Sequence, residues 1–191
     1  WESERGQNLL FSILLKPQIP IKYLFKLHII TSLAIRDALM NLGLKEVKIK
    51  WPNDIYVFDK KISGILIENQ IFNRKLKQVI VGIGLNVNQS EFNNLNATSI
   101  FKEIDNKLFL NNVFSLLKKS IKNKYYDIHR SMEELINEYQ QDLYKFKSDQ
   151  NFIYNKKSFN GRIVGVLHDG RINIEFNGKK EKFDFGSVRF L

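Results

Sequence analysis

Three short strand-like runs lie close together between residues 47 and 68, and this spacing strongly limits the folds that the chain can adopt. The runs span 47–50, 55–58 and 62–68, and only a few residues separate each run from the next. Runs of this length with short connections are typical of strands, and the second and third are expected to form a β-hairpin. The sequence predicts the tip of this hairpin at Asp59-Lys60-Lys61.

Strand and helix patterns alternate in the rest of the chain. Further strands are predicted at 8–15, 78–86, 159–167, 171–176, 180–185 and 188–191. Helices are predicted at 21–42, 108–128 and 131–144, with a loop over 87–106. The last helix opens with the S-x-x-E pattern of a capping box, because Glu134 follows Ser131 at the third position.

The pattern changes near residue 148, and this change predicts two parts. Residues 1–147 are expected to form a mixed β-sheet with helices. Residues 148–191 are expected to form a small β-barrel or sheet that packs against the first part. The predicted fold class is therefore α+β.

Composition excludes several kinds of site. The chain has no cysteine, which rules out disulfides, thiolate nucleophiles and cysteine-ligated zinc and is compatible with a reducing cytoplasm. Its three histidines, His28, His129 and His168, lie far apart and lack H-x-x-x-H spacing, so no metal-ligating set is predicted. No apolar run reaches the roughly 18–20 residues that a bilayer span needs.

The formal net charge of +10 indicates attraction to an acidic partner, such as nucleic acid, nucleotide phosphates or an acidic protein. Part of this excess comes from Lys118, Lys119, Lys122 and Lys124, on the outer face of the second predicted helix. Lysine-rich helix faces are commonly solvated surfaces. The charge alone therefore does not choose among these partners.

The segment K-W-P-N-D, from Lys50 to Asp54, concentrates polar groups inside a β-rich region. Pro52 removes a backbone donor and favours an extended Trp51, so Asn53 and Asp54 are expected on a rigid loop. These two side chains are interpreted either as ligand contacts or as turn residues that cap their own backbone.

Lys61 is expected on the same sheet face as Asp54 but too far from it for an ion pair. A two-residue turn at Asp59-Lys60 places Phe58 opposite Lys61 and Asp54 opposite Ile65. The two charged residues are then roughly 13 Å apart along the strands, at about 3.3 Å per residue. Lys61 is therefore interpreted either as a solvated hairpin lysine or as a contact to a different part of one long ligand.

Glycines mark two of the predicted strands. Gly64 indicates a bulge or the close approach of a ligand, because glycine weakens a strand interior. The strand at 78–86 ends in Gly82-Ile83-Gly84-Leu85-Asn86. This is not the dinucleotide-binding pattern G-x-G-x-x-G, because Val87 occupies the position of the third glycine.

Taken in order, K-W-P-N-D, K-x-S-G-I-L-I-E and V-G-I-G-L-N-V-N resemble the catalytic core of the biotin protein ligases, also called biotin–[acetyl-CoA-carboxylase] ligases. The opening W-E-S-E-R-G-Q-N-L-L-F-S resembles that family's segment W-x-S-x-x-G-x-N-L-x-x-S. The segment from Gly161 to Phe176 resembles its small SH3-like C-terminal domain. The resemblance implies a class II synthetase or biotin ligase-like sheet with helices, followed by an SH3-like β-barrel.

The resemblance also implies a reaction. Biotin and ATP form biotinyl-5′-AMP, and biotin then passes to a lysine of an acidic biotin carboxyl carrier domain, with Mg²⁺ as a cofactor. The implied catalytic residues are Lys61, which contacts the biotin carboxylate and the acyl-phosphate, and Asp54, which orients the carrier amine and accepts its proton. The implied biotin contacts are Lys61, Gly64, Ile65 and Gly84, and the implied ATP or adenylate contacts are Lys50, Asn53, Asn86 and Trp1.

One part of the family pattern is missing. The Gly/Arg-rich loop G-R-G-x-x-G-R of the family, which cradles the biotin carboxylate and the phosphate, precedes the tryptophan that Trp1 matches. The chain begins at Trp1 and not at Met, so we expect an N-terminally truncated fragment with very little ligase activity of its own. Robust biotinylation by the 191-residue chain would contradict this expectation.

Other functions remain open from the sequence. The lipoate–protein ligases share a similar core and the same acyl-adenylate chemistry, although K-W-P-N-D and the SH3-like tail favour biotin. The charge of +10 prompts a nucleic-acid-binding or regulatory alternative, and a scaffold without catalysis fits the truncation. A cytoplasmic location without a membrane partner is expected. A homodimer is left open, because members of the family pair through sheet edges.

Overall fold

The computed structural model describes residues 3–73, 75–93 and 95–191. The described residues form two antiparallel five-stranded sheets. The first sheet contains β1 (Leu9–Leu15), β2 (Val47–Lys50), β3 (Asp54–Val57), β4 (Lys60–Phe72) and β5 (Lys75–Leu85). The second contains β6 (Asp149–Tyr154), β7 (Lys157–Val166), β8 (Ile172–Phe176), β9 (Lys179–Phe183) and β10 (Val188–Phe190). The helices are α1 (Phe25–Asn41), α2 (Ile100–Ile104), α3 (Leu110–Tyr125) and α4 (Met132–Gln141), with 3₁₀ turns at Ile21–Tyr23 and Tyr126–His129. This mixture confirms the α+β class.

The first sheet has the strand order β1-β5-β4-β3-β2. β2 has the predicted bounds, but β4 continues to Phe72, beyond the predicted end at residue 68. The extra residues are exposed on both faces, so their sequence does not show the alternation that marks a half-buried strand. The hairpin of β4 and β5 is therefore longer than the apolar pattern alone indicated.

Helix α1 is buried on nearly all sides, which corrects the prediction of a single apolar face. It contacts β2, β3 and β4 on one side and α3 and α4 on the other. Two runs of its residues, 25–27 and 29–35, are buried as a result. A helix that is apolar all round is typical of such a central position.

Side chains satisfy the backbone at the start of α4 and after α3. The predicted capping box is confirmed, because the Ser131 hydroxyl accepts from the Glu134 amide at 3.1 Å and the Ser131 amide donates to the Glu134 carboxylate at 3.0 Å. The buried Lys26 of α1 donates to the carbonyl of Ile128 at 3.1 Å and to that of Arg130. The bonds of Lys26 therefore tie the segment between α3 and α4 to α1.

The second sheet has the order β10-β6-β7-β8-β9 and a core of stacked phenylalanines. Phe159 lies at its centre, with ring centroids 5.5 Å from Phe152 and 4.6 Å from Phe176. The described strands β9 and β10 form its two edges and do not pair, so the closed SH3-like barrel remains a prediction. β6 was not predicted, because D-Q-N-F-I-Y begins with three polar residues.

The segment after α4 connects the two sheets. The Ile49 amide donates to the carbonyl of Asp142, and the Tyr144 amide donates to that of Ile49, both at 2.8 Å. This pairing covers the outer edge of β2. The Lys147 amide then donates to the carbonyl of Ile163 in β7 at 3.0 Å. The boundary between the two predicted parts, at residues 147 and 148, stays a prediction. Among the described residues, no helix is long and apolar enough to cross a membrane.

Candidate active site

A cavity of about 490 Å³ lies on the first sheet, on the face opposite α1. Its floor is the backbone of β4 and β5 where three glycines meet. Gly64 is opposite Gly84 in the strand register, and Gly82 is opposite Leu66. Without side chains on these glycines, a ligand can lie directly on the backbone. The three glycines therefore form an open trough, whereas the sequence indicated a bulge or the close approach of a ligand at Gly64.

The walls of this cavity come from β1 and β4. Leu10 and Ser12 of β1 point to the same face as Leu66 of β4, and all three line the cavity. Leu10 and Leu66 are more than half exposed, at 54% and 61%. Sequence reasoning missed these wall residues, because the sequence of β1 is an almost continuous apolar run and its two faces differ only in their burial.

Lys61 and Asp54 meet at one end of this cavity, with 2.6 Å between the lysine Nζ and the carboxylate Oδ1. The prediction that these residues are too far apart for an ion pair is therefore wrong. Their side chains are 33% and 24% exposed, so a ligand in the cavity can reach both.

The error came from the turn of the hairpin. β3 ends at Val57 and β4 begins at Lys60, so the two turn residues are Phe58 and Asp59. Lys61 consequently pairs with Tyr56, two residues from Asp54. The separation along the strand is then roughly 6.6 Å, which a lysine side chain can span.

A left-handed turn residue and a bulge produce this register. Phe58 has a φ of 51°, a conformation that large side chains rarely adopt. The register then shifts between Ile55 and Tyr56, which leaves Ile62 as the extra residue of β4. Asp54 therefore faces Gly64 and not Ile65. β-Bulges are common near functional sites, and this one lies beside the charged pair.

The side chains of the K-W-P-N-D loop bond to groups outside the loop. The Asn53 side-chain amide donates to the carbonyl of Ile65 at 2.8 Å, and the Ile65 amide donates to the carbonyl of Asn53 at 2.8 Å. The Trp51–Pro52 peptide is cis, and Trp51 is buried. The self-capping interpretation of Asn53 is therefore wrong.

A second cavity, of about 880 Å³, lies on the other side of the same loop. Asn53 and Asp54 line both cavities. The far wall of the larger cavity is made by Arg189 and Phe190 of β10 and by Phe185 in the turn before it. The loop thus separates two spaces, and Asp54 is accessible from each.

Lys50 also lines the larger cavity, but its ammonium already has partners. Its Nζ donates to the Tyr56 hydroxyl at 2.9 Å. The same Nζ lies 4.5 Å from the ring centroid of Tyr56, 4.9 Å from that of Phe190 and 5.8 Å from that of Tyr144. A cation among three aromatic rings is held by cation–π attraction.

Asn86, another expected nucleotide contact, does not line either cavity. The buried side chain of Asn86 donates to the carbonyl of Thr98 at 2.9 Å and ties β5 to the following loop. Trp1 lies outside the described residues. Ile65 lines both cavities, and its side chain is buried.

Near the larger cavity, His28 packs between aromatic rings. Its ring centroid lies 6.0 Å from that of Phe25 and 5.4 Å from that of Phe185. Burial lowers the pKa of His28 to about 4. The ring is therefore neutral near pH 7 and belongs to the contact between α1 and the turn that follows β9.

Over the described ranges, no three His, Cys, Asp or Glu side chains lie close enough to hold a metal ion. The Lys61–Asp54 pair is instead the charged feature of the smaller cavity. A fixed cation and a carboxylate beside a backbone trough can bind an acid, offset negative charge on it and receive a proton.

Residues 1–86 match the family model described as the biotin/lipoate A/B protein ligase family. The matched segment includes the K-W-P-N-D loop, Lys61 and the three glycines of the cavity floor. Over this segment, a little under half of its length, the chain is similar to the biotin/lipoate A/B protein ligase family.

Named proteins similar to this chain include a bifunctional ligase/repressor and a biotin–protein ligase. The chain is 37% identical over 89 residues to the bifunctional ligase/repressor BirA of Bacillus subtilis, a match that covers 47% of the chain and 27% of the relative. It is 28% identical to biotin–protein ligase 2 of Arabidopsis thaliana, over 99% of the chain and 64% of the relative. The chain thus matches about a quarter of the length of the bacterial relative and under two thirds of the plant one.

Solved structures are similar to this chain over nearly its whole length. The apo biotin protein ligase of Aquifex aeolicus superposes with a TM-score of 0.81 at 24% identity, over 97% of this chain and 82% of that protein. The same enzyme in complex with biotin and ATP superposes with a TM-score of 0.80. At this identity the comparison shows a common fold.

Proposed function

We propose that the protein attaches biotin to a lysine of a biotin carboxyl carrier protein, with ATP as the second substrate and biotinyl-5′-AMP as the intermediate. The observation that carries this proposal is the Lys61–Asp54 pair, 2.6 Å apart at the end of a trough with a glycine floor. The match of residues 1–86 to the biotin/lipoate ligase family and the names of the relatives support this proposal. The AMP-forming ligase class follows from the same family.

In the proposed first step, an oxygen of the biotin carboxylate bonds to the α-phosphorus of ATP, and pyrophosphate leaves. Two anions must approach each other, so the main task of the protein is to offset their repulsion. Lys61 turns from Asp54 towards the carboxylate and the α-phosphate and stabilises the charge there. Mg²⁺ enters with the phosphates of ATP, which is the way nucleotides commonly carry it.

In the proposed second step, the carrier lysine attacks the acyl carbon of biotinyl-5′-AMP. The new bond is an amide, the bond to the phosphate oxygen breaks, and AMP leaves. A free lysine has a pKa of about 10.4, so its amine must lose a proton to react. Asp54 lines both cavities and is well placed to orient this amine and take the proton.

The biotin is proposed to lie in the smaller cavity, on the backbone of Gly64 and Gly84 and beside Ile65. Asn53, at the wall between the two cavities, is the proposed adenylate contact. Asn86 and Trp1 keep their predicted nucleotide role only as sequence-based proposals, because Asn86 has its amide committed to Thr98.

We also propose that the carrier is acidic and that the protein acts in the cytoplasm. A net charge of +10 accelerates encounter with a negatively charged carrier through long-range steering. The free side of β4 between Ile67 and Phe72 has no pairing strand among the described residues, which makes it a candidate edge for a homodimer or for the carrier.

Acid-dependent pyrophosphate exchange in the full-length gene product tests this function. We expect exchange between labelled pyrophosphate and ATP with biotin and none with lipoic acid. Exchange that depends on lipoic acid would make the protein a lipoate ligase. The absence of exchange with either acid, in protein that folds, would contradict the adenylation chemistry.

A further inference from the structure

Two residues of the K-W-P-N-D loop face away from the smaller cavity and contact the second sheet. Lys50 is the first of them, and its ammonium sits among the rings of Tyr56, Tyr144 and Phe190. Phe190 belongs to β10, and Tyr144 lies in the segment that joins the sheets. The start of the loop is therefore tied to the end of the chain.

Trp51 is the second of these residues. Its indole Nε1 donates to the carbonyl of Gly170 at 2.8 Å, in the turn between β7 and β8. Its ring meets Phe185 edge to face, with centroids 5.3 Å apart. Trp51 is only 3% exposed, so its single donor would be unsatisfied and buried without this carbonyl.

The turn that accepts this bond fits closely against the first part of the chain. Gly170 has a φ of +90°, a conformation that favours glycine. A Cβ at this position would lie 2.7 Å from the ring of Phe25 and 2.9 Å from that of Phe185. The carbonyl of Gly170 is therefore held at a fixed distance from α1 and from Trp51.

The reactive part of the loop begins directly after these contacts. Asn53 is bonded to Ile65 through both its backbone and its side chain, and Asp54 pairs with Lys61. The loop is consequently held by the second sheet at residues 50 and 51 and by β4 at residue 53. A displacement at Trp51 is passed on to Asp54 through only two intervening residues.

We propose that the second sheet positions the K-W-P-N-D loop, with Lys50 and Trp51 as positioning residues that act through Asn53 and Asp54. In this assignment Lys50 is not a nucleotide ligand, although its motif suggested that role. Its ammonium stays in the aromatic cage and keeps the loop at the distance from Lys61 that the chemistry needs. The kinetic part of this inference rests on the proposed function, and the geometric part does not.

Hydrogen exchange in the ligand-free, full-length gene product tests the geometric part. Phe190→Leu weakens the cage of Lys50, and Trp51→Phe keeps a ring but removes the donor to Gly170. We expect the amides of residues 53, 54 and 65 to exchange roughly fivefold faster in each variant, the factor that corresponds to one lost hydrogen bond. Phe176→Leu is the matched control, because its ring contacts Phe159 and Phe183 within the second sheet.

Exchange in this loop that is unchanged in both variants, or equally raised in the control, would overturn the proposal. This result does not depend on catalysis, so it stands whether or not the protein proves to be a biotin ligase.

Steady-state kinetics separate positioning from nucleotide binding. For Lys50→Met we expect kcat for carrier biotinylation to fall about tenfold while the KM for ATP stays within about twofold. Lys50→Arg keeps a cation for the aromatic rings and should restore most of kcat. A rise of about tenfold in the KM for ATP with an unchanged kcat would instead make Lys50 a nucleotide ligand and contradict the assignment.

Discussion

At the scale of single residues, the reactive pair Lys61 and Asp54 depends on one unusual turn residue. The motifs in the sequence identified both residues, but the predicted turn kept them roughly 13 Å apart. The structure brings them to 2.6 Å because Phe58 takes a left-handed conformation and shifts the hairpin. Sequence pattern could not show this shift, since phenylalanine is not a residue that predicts a positive φ.

Asp54→Asn should separate the two proposed steps. We expect biotin-dependent pyrophosphate exchange to persist, because Lys61 still supplies the cation. Transfer from preformed biotinyl-5′-AMP to the carrier should fall by roughly 10²–10⁴, the usual contribution of a general base. Asp105→Asn is the control, because Asp105 is an exposed helix-capping residue with a φ of 50° that asparagine tolerates. Transfer at the full rate by Asp54→Asn would refute the assigned role.

Two glycine substitutions should have opposite effects on stability and ligand binding. A Cβ at Gly82 would make ordinary contacts of 3.7 Å with Leu66, so Gly82→Ala should fold normally but narrow the trough and weaken biotin binding. A Cβ at Gly161 would lie 2.9 Å from Ile174, so Gly161→Ala should cost about 1–3 kcal/mol of unfolding free energy. Thermal unfolding and biotin calorimetry of both variants check this contrast, and tight biotin binding by Gly82→Ala would contradict the placement of the site.

At the scale of elements, local signals predicted well where they acted alone. β2 has its predicted bounds, and α4 begins with the capping box of Ser131 and Glu134. The prediction failed where tertiary contacts decide. The strand β6, which begins with three polar residues, pairs with β7 and β10 in the second sheet. Helix α1 is enclosed by the first sheet and by α3 and α4. The aromatic cage of Lys50 could not be predicted from the sequence either, because its rings come from the distant positions 56, 144 and 190.

Ser131→Ala should destabilise α4. Its hydroxyl accepts from the Glu134 amide at 3.1 Å, and loss of such a cap costs about 1 kcal/mol. Urea unfolding of the variant measures this loss, with Ser158→Ala at an exposed position of β7 as the control. Equal stability of Ser131→Ala and the unchanged protein would show that the capping box does not contribute to the fold.

At the scale of the whole molecule, an aromatic contact joins the two sheets beside the proposed site. Phe25 of α1 lies 6.0 Å from Phe185, and His28 completes the cluster. The Trp51–Gly170 bond lies at the same contact. The second sheet is therefore part of the framework that holds the loop, whereas the sequence predicted only that a small barrel or sheet packs against the first part of the chain.

His28 gives this contact a predictable pH dependence. Its pKa is lowered by burial to about 4 in the folded protein, so between pH 6.5 and 4 the unfolded chain binds a proton that the folded protein does not. The contribution of His28 to stability is therefore complete above pH 6.5 and is lost as the pH falls towards 4.

Unfolding of His28→Phe at a series of pH values measures this effect. We expect the variant to lose less stability than the unchanged protein between pH 6.5 and 4, with exposed His129→Gln behaving like the unchanged protein. Parallel pH curves for His28→Phe and the unchanged protein would show that the histidine is protonated in the folded state as well.

The most direct test is a crystal structure of the full-length gene product with a non-hydrolysable analogue of biotinyl-5′-AMP. The account predicts that the analogue lies on the trough of Gly64, Gly82 and Gly84, with the Lys61 ammonium within about 3 Å of an oxygen at the acyl–phosphate junction. Lys61 directed into bulk water, with the junction bound elsewhere, would contradict it.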